Sequence, residues 1–299
     1  MKPDTERSYQ KRVLRVLVYL QQHLSEELAL EQLAAVAQFS PYHFHRIFRG
    51  MVGESVKEHV RRLRLERAGQ QLKSSDQPII RIALEAGYEA HESFTRAFSA
   101  MFGETPSQFR EARRPLRQLH NPSGVHYQAD QAPRSFQTIS PGGEPMNVRI
   151  ENLAPMRVAF MRHVGPYLAV GGTWSKLMAW AGPRGLLGPN MRMIGIVHDD
   201  PDVTPAEKLR YDACLVVDGN FQPEGEIGVQ EIAGGDYAVA THRGPYEKLA
   251  ESYARLYGEW LPASGREPRS APGFEVYRNS PMNAAPEDLI TDIYLPLAG

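Results

Sequence analysis

The chain is nearly free of cysteine: Cys214 is the single one in 299 residues, which excludes an intrachain disulfide framework and fits a reducing compartment. Long hydrophobic runs are missing too. No stretch approaches the roughly 20 uninterrupted apolar residues that span a bilayer. The first twelve residues, Met1 to Arg12, are polar and lack the apolar segment of a secretory signal. The histidines His43, His45 and His91 have no cage-forming spacing and no cysteines beside them, so neither metal nor other cofactor is expected. Together these absences predict a cytoplasmic chain with no membrane partner. What is present is ordinary globular material, 42% hydrophobic and 23% charged. Its length suits two domains, each with its own core.

Charge of one sign is scarce overall, with a net of −1, but it is unevenly placed. Residues 1–118 hold 19 Lys+Arg against 14 Asp+Glu, and the remaining 181 hold 15 against 21. A basic half joined to an acidic half suggests one polyanion-binding module and one module with another task. Arginine supplies 15 of the 19 cations of the first part, which favours forked contacts to phosphates and guanine edges.

Residues 1–113 read as short helices. Val13, Leu14, Leu17, Val18, Leu20 and Leu24 form one apolar stripe at helical spacing, and Leu30, Leu33, Ala34 and Ala37 a second. Ser40 is placed to cap a third helix with Pro41 at its first position. Val56–Leu72 is a long amphipathic helix, Pro78 opens the next and Gly87 ends it, and two more follow over about 92–102 and 106–113. Residues 114–145, with prolines 115, 122, 133, 141 and 145, read as a linker with a short ordered stretch at Val125–Tyr127. From 146 to 299 strands alternate with two helical segments.

Both halves repeat internally. Leu33–Phe39 matches Ile82–Tyr88, and Phe44-x-Arg46-x-Phe48 matches Phe94-x-Arg96-x-Phe98 fifty residues later. In the second half His163-Val164-Gly165-Pro166-Tyr167 matches His242-Arg243-Gly244-Pro245-Tyr246, while Trp180 matches Trp260 and Asp212 matches Asp292, about eighty residues on. Each half is therefore expected to be a pseudo-symmetric pair of units.

Each fifty-residue unit has a short helix, a tight turn and a second helix with an aromatic-x-Arg-x-aromatic signature. In a helix-turn-helix the second helix enters the major groove with its N-terminal residues on base edges. Phe44, Phe48, Phe94 and Phe98, at i, i+4 spacing, are expected in the core. That leaves Tyr42, His45 and Arg46 on the exposed face of one recognition helix, and His91, Glu92, Thr95 and Arg96 on that of the other. Leu33–Phe48, Ile82–Phe98, Gly53, Gly87-Tyr88 and Phe102-Gly103-x-Thr105-Pro106-x-x-Phe109-Arg110 resemble the DNA-binding domain of the AraC family of activators. The resemblance, over residues ~8–113, implies seven helices and two recognition helices in successive major-groove segments roughly 34 Å apart. Double-stranded DNA is then the partner, with RNA polymerase behind it. Arg46 and Arg96 are the candidates for guanine or phosphate, and the other five residues help to specify bases.

In the second half each unit reads as strand, helix, strand, strand, with Met146–Leu153 and Gly228–Ile232 joining the units. The fold expected is two domains: an all-α double helix-turn-helix (1–113), then, past the linker, an α+β domain (146–299) of duplicated β-α-β-β units in one antiparallel sheet with helices on one face. Gly273-Phe274-Glu275-Val276-Tyr277 sets a carboxylate in an apolar strand, opposite Gly195 in the repeat alignment. The residues alone leave two readings open. Either Glu275 lies on an exposed sheet face, or it is desolvated among aromatic rings and needs a cation. His-x-Gly-Pro-Tyr (242–246), Phe-Glu-Val-Tyr (274–277) and Pro-Glu-Asp-Leu-x-Thr-Asp-Ile-Tyr-x-Pro-Leu (286–297) resemble the GyrI-like effector-binding domain. That resemblance implies a small-molecule site at Glu275, Tyr277, Trp260 and Tyr294, and the aromatic supply, in which Tyr167, Trp174 and Tyr211 also stand, adds Tyr246 and Trp180. The function expected is a DNA-binding transcription regulator, not an enzyme, controlled by a small lipophilic effector, cationic if Glu275 is its counter-charge. The alternatives are a small-molecule hydrolase using Glu275 and a module that sequesters a protein.

Overall fold

The computed structural model describes residues 3–112, 120–139, 146–188, 191–201, 203–218 and 220–299. Seven helices come first: α1 (Pro3–Gln22), α2 (Leu30–Ala37), α3 (Pro41–Val52), α4 (Val56–Ser74), α5 (Ile79–Glu85), α6 (His91–Phe102) and α7 (Pro106–Glu111). Their boundaries have local causes. Ser40 in extended conformation and Pro41 start α3, and Gly53 at φ 81° stops it. Ser55 and Glu58 cap α4 reciprocally, as Thr105 and Gln108 cap α7. Both helix-turn-helix turns need a left-handed residue, which is Gly87 (φ 84°) in the second unit and Gln38 (φ 56°) in the first. The four phenylalanines are fully buried as the spacing requires. Phe94 and Phe98 sit in a small core with Leu65, Ala68, Leu72, Ile82 and Phe109. Phe44 and Phe48 belong to a larger core that includes Tyr9, Val13, Leu17 and Leu63.

The second half is an eight-stranded antiparallel sheet, built from β1 (Val148–Leu153), β2 (Met156–Val164), β3 (Met193–Val197), β4 (Arg210–Val216), β5 (Gly228–Ile232), β6 (Gly235–Arg243), β7 (Phe274–Tyr277) and β8 (Ile290–Pro296). The order is β1-β6-β8-β7-β3-β4-β2-β5, so the two units meet at the β3–β7 pair. Helix α8 (Val170–Ala181) covers the first unit. The second is covered by α9 (Leu249–Arg255), a wide π-type turn over Leu256–Trp260, and α10 (Leu261–Ser264). The helical segment read from the sequence in this unit is thus continuous, widened in its middle by the π-type turn. The repeated His-x-Gly-Pro-Tyr motif builds the bend into each helix. His163 and His242 each face the carbonyl of the proline three residues on, at 3.1 and 3.2 Å, across Gly165 (φ 139°) and Gly244 (φ 121°).

The two halves share a core. Ala238, Ala240, Leu256, Tyr257, Leu261, Ile293 and Leu295 pack with the residues of α1 to α4. At the rim Arg12 donates to Glu267 at 2.8 and 3.0 Å, and the Tyr9 hydroxyl to the Arg266 carbonyl at 3.1 Å. Between them residues 120–139 are strapped onto the helices. Glu66 accepts from the Tyr127 amide at 2.7 Å, and Ile139 N–H reaches the Met51 carbonyl at 3.1 Å.

Candidate functional site

Helix α6 presents His91, Glu92 and Arg96 to solvent with Thr95 half-buried beside them, an arrangement open to a groove. Helix α3 differs. Tyr42 is 47% exposed, but His45 is 2% exposed, with Nδ1 3.0 Å from the Asp200 carboxylate on the loop after β3. The Arg46 guanidinium carbon lies 4.5 Å from the Tyr253 ring centroid and 5.8 Å from that of Tyr257. The expectation that His45 and Arg46 form an open face is therefore corrected. Phe44, Ile47, Phe48 and Met51 fill the domain's own core, and His43, Arg46 and Gly50, at i, i+3, i+7, line a second strip that meets the C-terminal half.

Along that strip the fit is close. His43 faces the Arg269 carbonyl through Nε2 at 2.8 Å, so this nitrogen carries the proton and Nδ1 accepts from the Tyr257 hydroxyl at 3.2 Å. Burial holds His43 neutral, with its pKa lowered to about 4. A β-carbon on Gly50 would stand 2.7 Å from the Gly258 backbone, and one on Gly258 2.2 Å from the Gly50 carbonyl oxygen. The three histidines whose spacing was weighed for metal lie apart: His43 on Tyr257, His45 on Asp200 and His91 on the exposed face of α6.

Beneath α3 is Glu275, 4% exposed, on the helix-covered face of the sheet and directly paired with Gly195 across β3–β7. Its carboxylate accepts from Tyr253 at 2.8 Å and Tyr277 at 2.5 Å. The chain of donors runs on: Tyr211 lies 3.0 Å from the Tyr277 hydroxyl, and the Trp174 indole N–H donates to Tyr211 at 3.1 Å. Tyr246 completes the wall, its ring 5.6 Å from that of Tyr277. Burial pushes the Glu275 carboxyl above the usual carboxylate range, while the tyrosine hydroxyls and the Arg46 charge pull part of that shift back. A desolvated carboxylate among rings is arranged to meet a positive charge.

Of the six residues expected here, Glu275, Tyr277 and Tyr246 come together and three do not. Tyr294 pairs with Phe274, so strand alternation puts it on the opposite face, stacked on Phe274 at 4.6 Å. Trp180 packs edge-on against Phe221 at 5.5 Å, and Trp260 lies against the shared core. The tryptophan of the site is Trp174. Tyr253 and Tyr257, which residue pattern did not single out, are placed by the second unit's helix. The sequence did carry one signal for the docking, a glycine inside each of two helical segments (Gly50 and Gly258), where glycine is unfavourable unless something packs close.

Residues 146–298 match the family model of the GyrI-like small molecule binding domain, and residues 33–112 that of a helix-turn-helix domain. Over 156 residues the chain is 32% identical to the probable transcriptional regulator YgiV of Escherichia coli (strain K12), covering 51% of this chain and 97% of that one. Over 102 residues it is 39% identical to the HTH-type transcriptional regulator YbfP of Bacillus subtilis (strain 168), covering 34% of this chain and 35% of YbfP. Among solved structures, that of the EcmrR C-terminal domain aligns at 19% identity and a TM-score of 0.42, over 51% of this chain and 98% of that one.

Proposed function

The chain belongs to the GyrI-like small molecule binding family, joined to an AraC-type helix-turn-helix domain, and on that premise we propose a transcription regulator whose DNA binding answers to a lipophilic cation held at Glu275. The observation that carries the choice of ligand is the state of this carboxylate. It is 4% exposed, and the hydrogen bonds from Tyr253 and Tyr277 come from neutral hydroxyls, so its charge is left for a cation between aromatic walls. The DNA contacts fall to Arg96, His91, Glu92 and Thr95 on α6, and to Tyr42, His45 and Arg46 once α3 is free. RNA polymerase is the further partner such regulation implies, and the cytoplasm the compartment in which both are met. Among the described residues no helix is long and apolar enough to cross a membrane.

A hydrolytic use of Glu275 is the second reading. The geometry favours holding a charge over activating water, because each carboxylate oxygen already accepts a tyrosine proton. The test is titration of the full-length protein with tetraphenylphosphonium and tetraphenylborate, two ions of one shape and opposite charge, followed through tryptophan fluorescence. Saturable binding of the cation alone, lost in Glu275→Gln, is the expected result. Equal binding of both ions would sink the counter-charge assignment, and turnover of an ester or amide panel would move the reading to an enzyme.

A further inference from the structure

We propose that Arg46 is the resident cation of the Glu275 site, so that docking of helix α3 and binding of a lipophilic cation exclude each other and the effector releases α3 for DNA. This rests on the cation reading of the site given above.

Three observations converge. The first is a shared ring. Tyr253 takes the Arg46 guanidinium on its face at 4.5 Å and gives its hydroxyl to Glu275 at 2.8 Å. The Arg46 guanidinium also lies 5.8 Å from the Tyr257 ring centroid, and its charge pulls back part of the rise in the Glu275 pKa. A DNA-reading side chain thus supplies the positive charge over an aromatic wall that the buried carboxylate calls for.

The second is occlusion. The strip of α3 that carries Arg46 is covered by the C-terminal half at His43, His45 and Gly50, with Gly50 and Gly258 in backbone contact. An α-helix about 10–12 Å across fills a major groove about 12 Å wide. Helix α3 therefore cannot lie in the groove while it lies on the sheet domain.

The third is the internal control that the duplication provides. The arginine recurs in the second unit as Arg96, which is exposed, whereas His43 is replaced by Ser93 and Gly50 by Ala100. The residue suited to DNA is kept in both units, and the residues suited to docking occur in the first alone.

An internal competitor lowers the apparent affinity of the effector by the factor with which the docked state is favoured. Its removal restores that factor. Two full-length variants reach the same end differently. Arg46→Gln removes the competing charge, and Gly258→Ala drives a methyl group against the Gly50 carbonyl while leaving Arg46, Glu275 and the aromatic wall in place. Both are expected to bind tetraphenylphosphonium at least tenfold more tightly than the parent chain. In the parent chain, saturating tetraphenylphosphonium should accelerate hydrogen exchange at the amides of Tyr42–Val52. If the parent binds the cation through Glu275 but neither variant binds it more tightly, Arg46 is a fixed strut and the proposal fails, while the cation-sensor reading stands. Tighter binding by Gly258→Ala alone would assign the closure to the helix and not to Arg46, and also overturns it. If no form binds the cation, the sensor reading falls and takes this proposal with it.

Discussion

Gly195 and Glu275 are cross-strand partners at the seam between the two units, and the missing side chain of the first is what makes room for the hydroxyls that serve the second. A β-carbon on Gly195 would stand 2.3 Å from the Tyr211 oxygen and 2.8 Å from that of Tyr277, the two hydroxyls leading to the carboxylate. The duplication has kept the strand pair and divided the labour, one position giving space and the other charge.

Gly195→Ala should therefore damage both packing and ligand binding. Overpacking of this kind costs about 1–3 kcal/mol, to be read as a lower denaturation midpoint, and affinity for tetraphenylphosphonium should fall as the Tyr211–Tyr277 link is broken. An alanine variant with unchanged midpoint and affinity would show that the hydroxyls are free to move aside.

Cation binding should strengthen as pH rises. Burial raises the Glu275 pKa in the free protein, and a bound cation favours the ionised form, so affinity climbs through the raised pKa and then levels. Below that pKa the slope approaches about tenfold per pH unit. In Glu275→Gln the profile should be flat and the affinity lower at high pH. A pH-independent parent chain would remove Glu275 as the counter-charge.

Arg96 is exposed on α6 and free of the docking that holds Arg46. Arg96→Ala should weaken binding to a duplex selected from a random-sequence pool by about 1–3 kcal/mol if it reads a guanine, or lower the salt slope by about one if it meets a phosphate. Affinity for tetraphenylphosphonium should be untouched. Normal duplex binding by this variant would displace α6 from the groove.

Mild acid should loosen α3 through His43. Its pKa is lowered from 6.5 to about 4 by burial, so the docked state binds fewer protons than the undocked one below pH 6.5. The contribution is full above 6.5 and lost as pH falls toward 4, the loss reaching about 2 kcal/mol at pH 5. Its neighbours Tyr257 and Arg46 do not titrate there, and Asp200, whose carboxyl is held low beside His45 and Arg46, contributes in the same sense. The measure is therefore the difference between the parent chain and His43→Gln in hydrogen exchange of α3 at pH 7 and pH 5. No difference would mean that His43 is not neutral when docked.

Much of the architecture was legible in residue order. The i, i+4 phenylalanines buried themselves as their spacing required, since helical geometry alone puts them on one face. The eighty-residue repeat of the second half foretold a sheet of two matching units, while the isolated carboxylate in an apolar strand left burial and exposure both open until the fold buried Glu275. The rest depended on partners distant in the chain. Tyr294 could not be assigned a face without the β7–β8 register, which pairs it with Phe274. Trp180 and Trp260 were preferred over Trp174, and only helix placement showed that Trp174 is the one that reaches Tyr211.

By itself, then, the sequence determined the two halves, their duplications, the paired arginines of the first repeat and the carboxylate, because each is written in local periodicity or in a repeat. Only the tertiary structure decided that one of those arginines faces the sheet domain and not solvent. Spacing tells which side chains share a face of a helix, but which surface that face meets depends on the fit between distant segments. Here that fit is the approach of Gly50 to Gly258 and the shared ring of Tyr253.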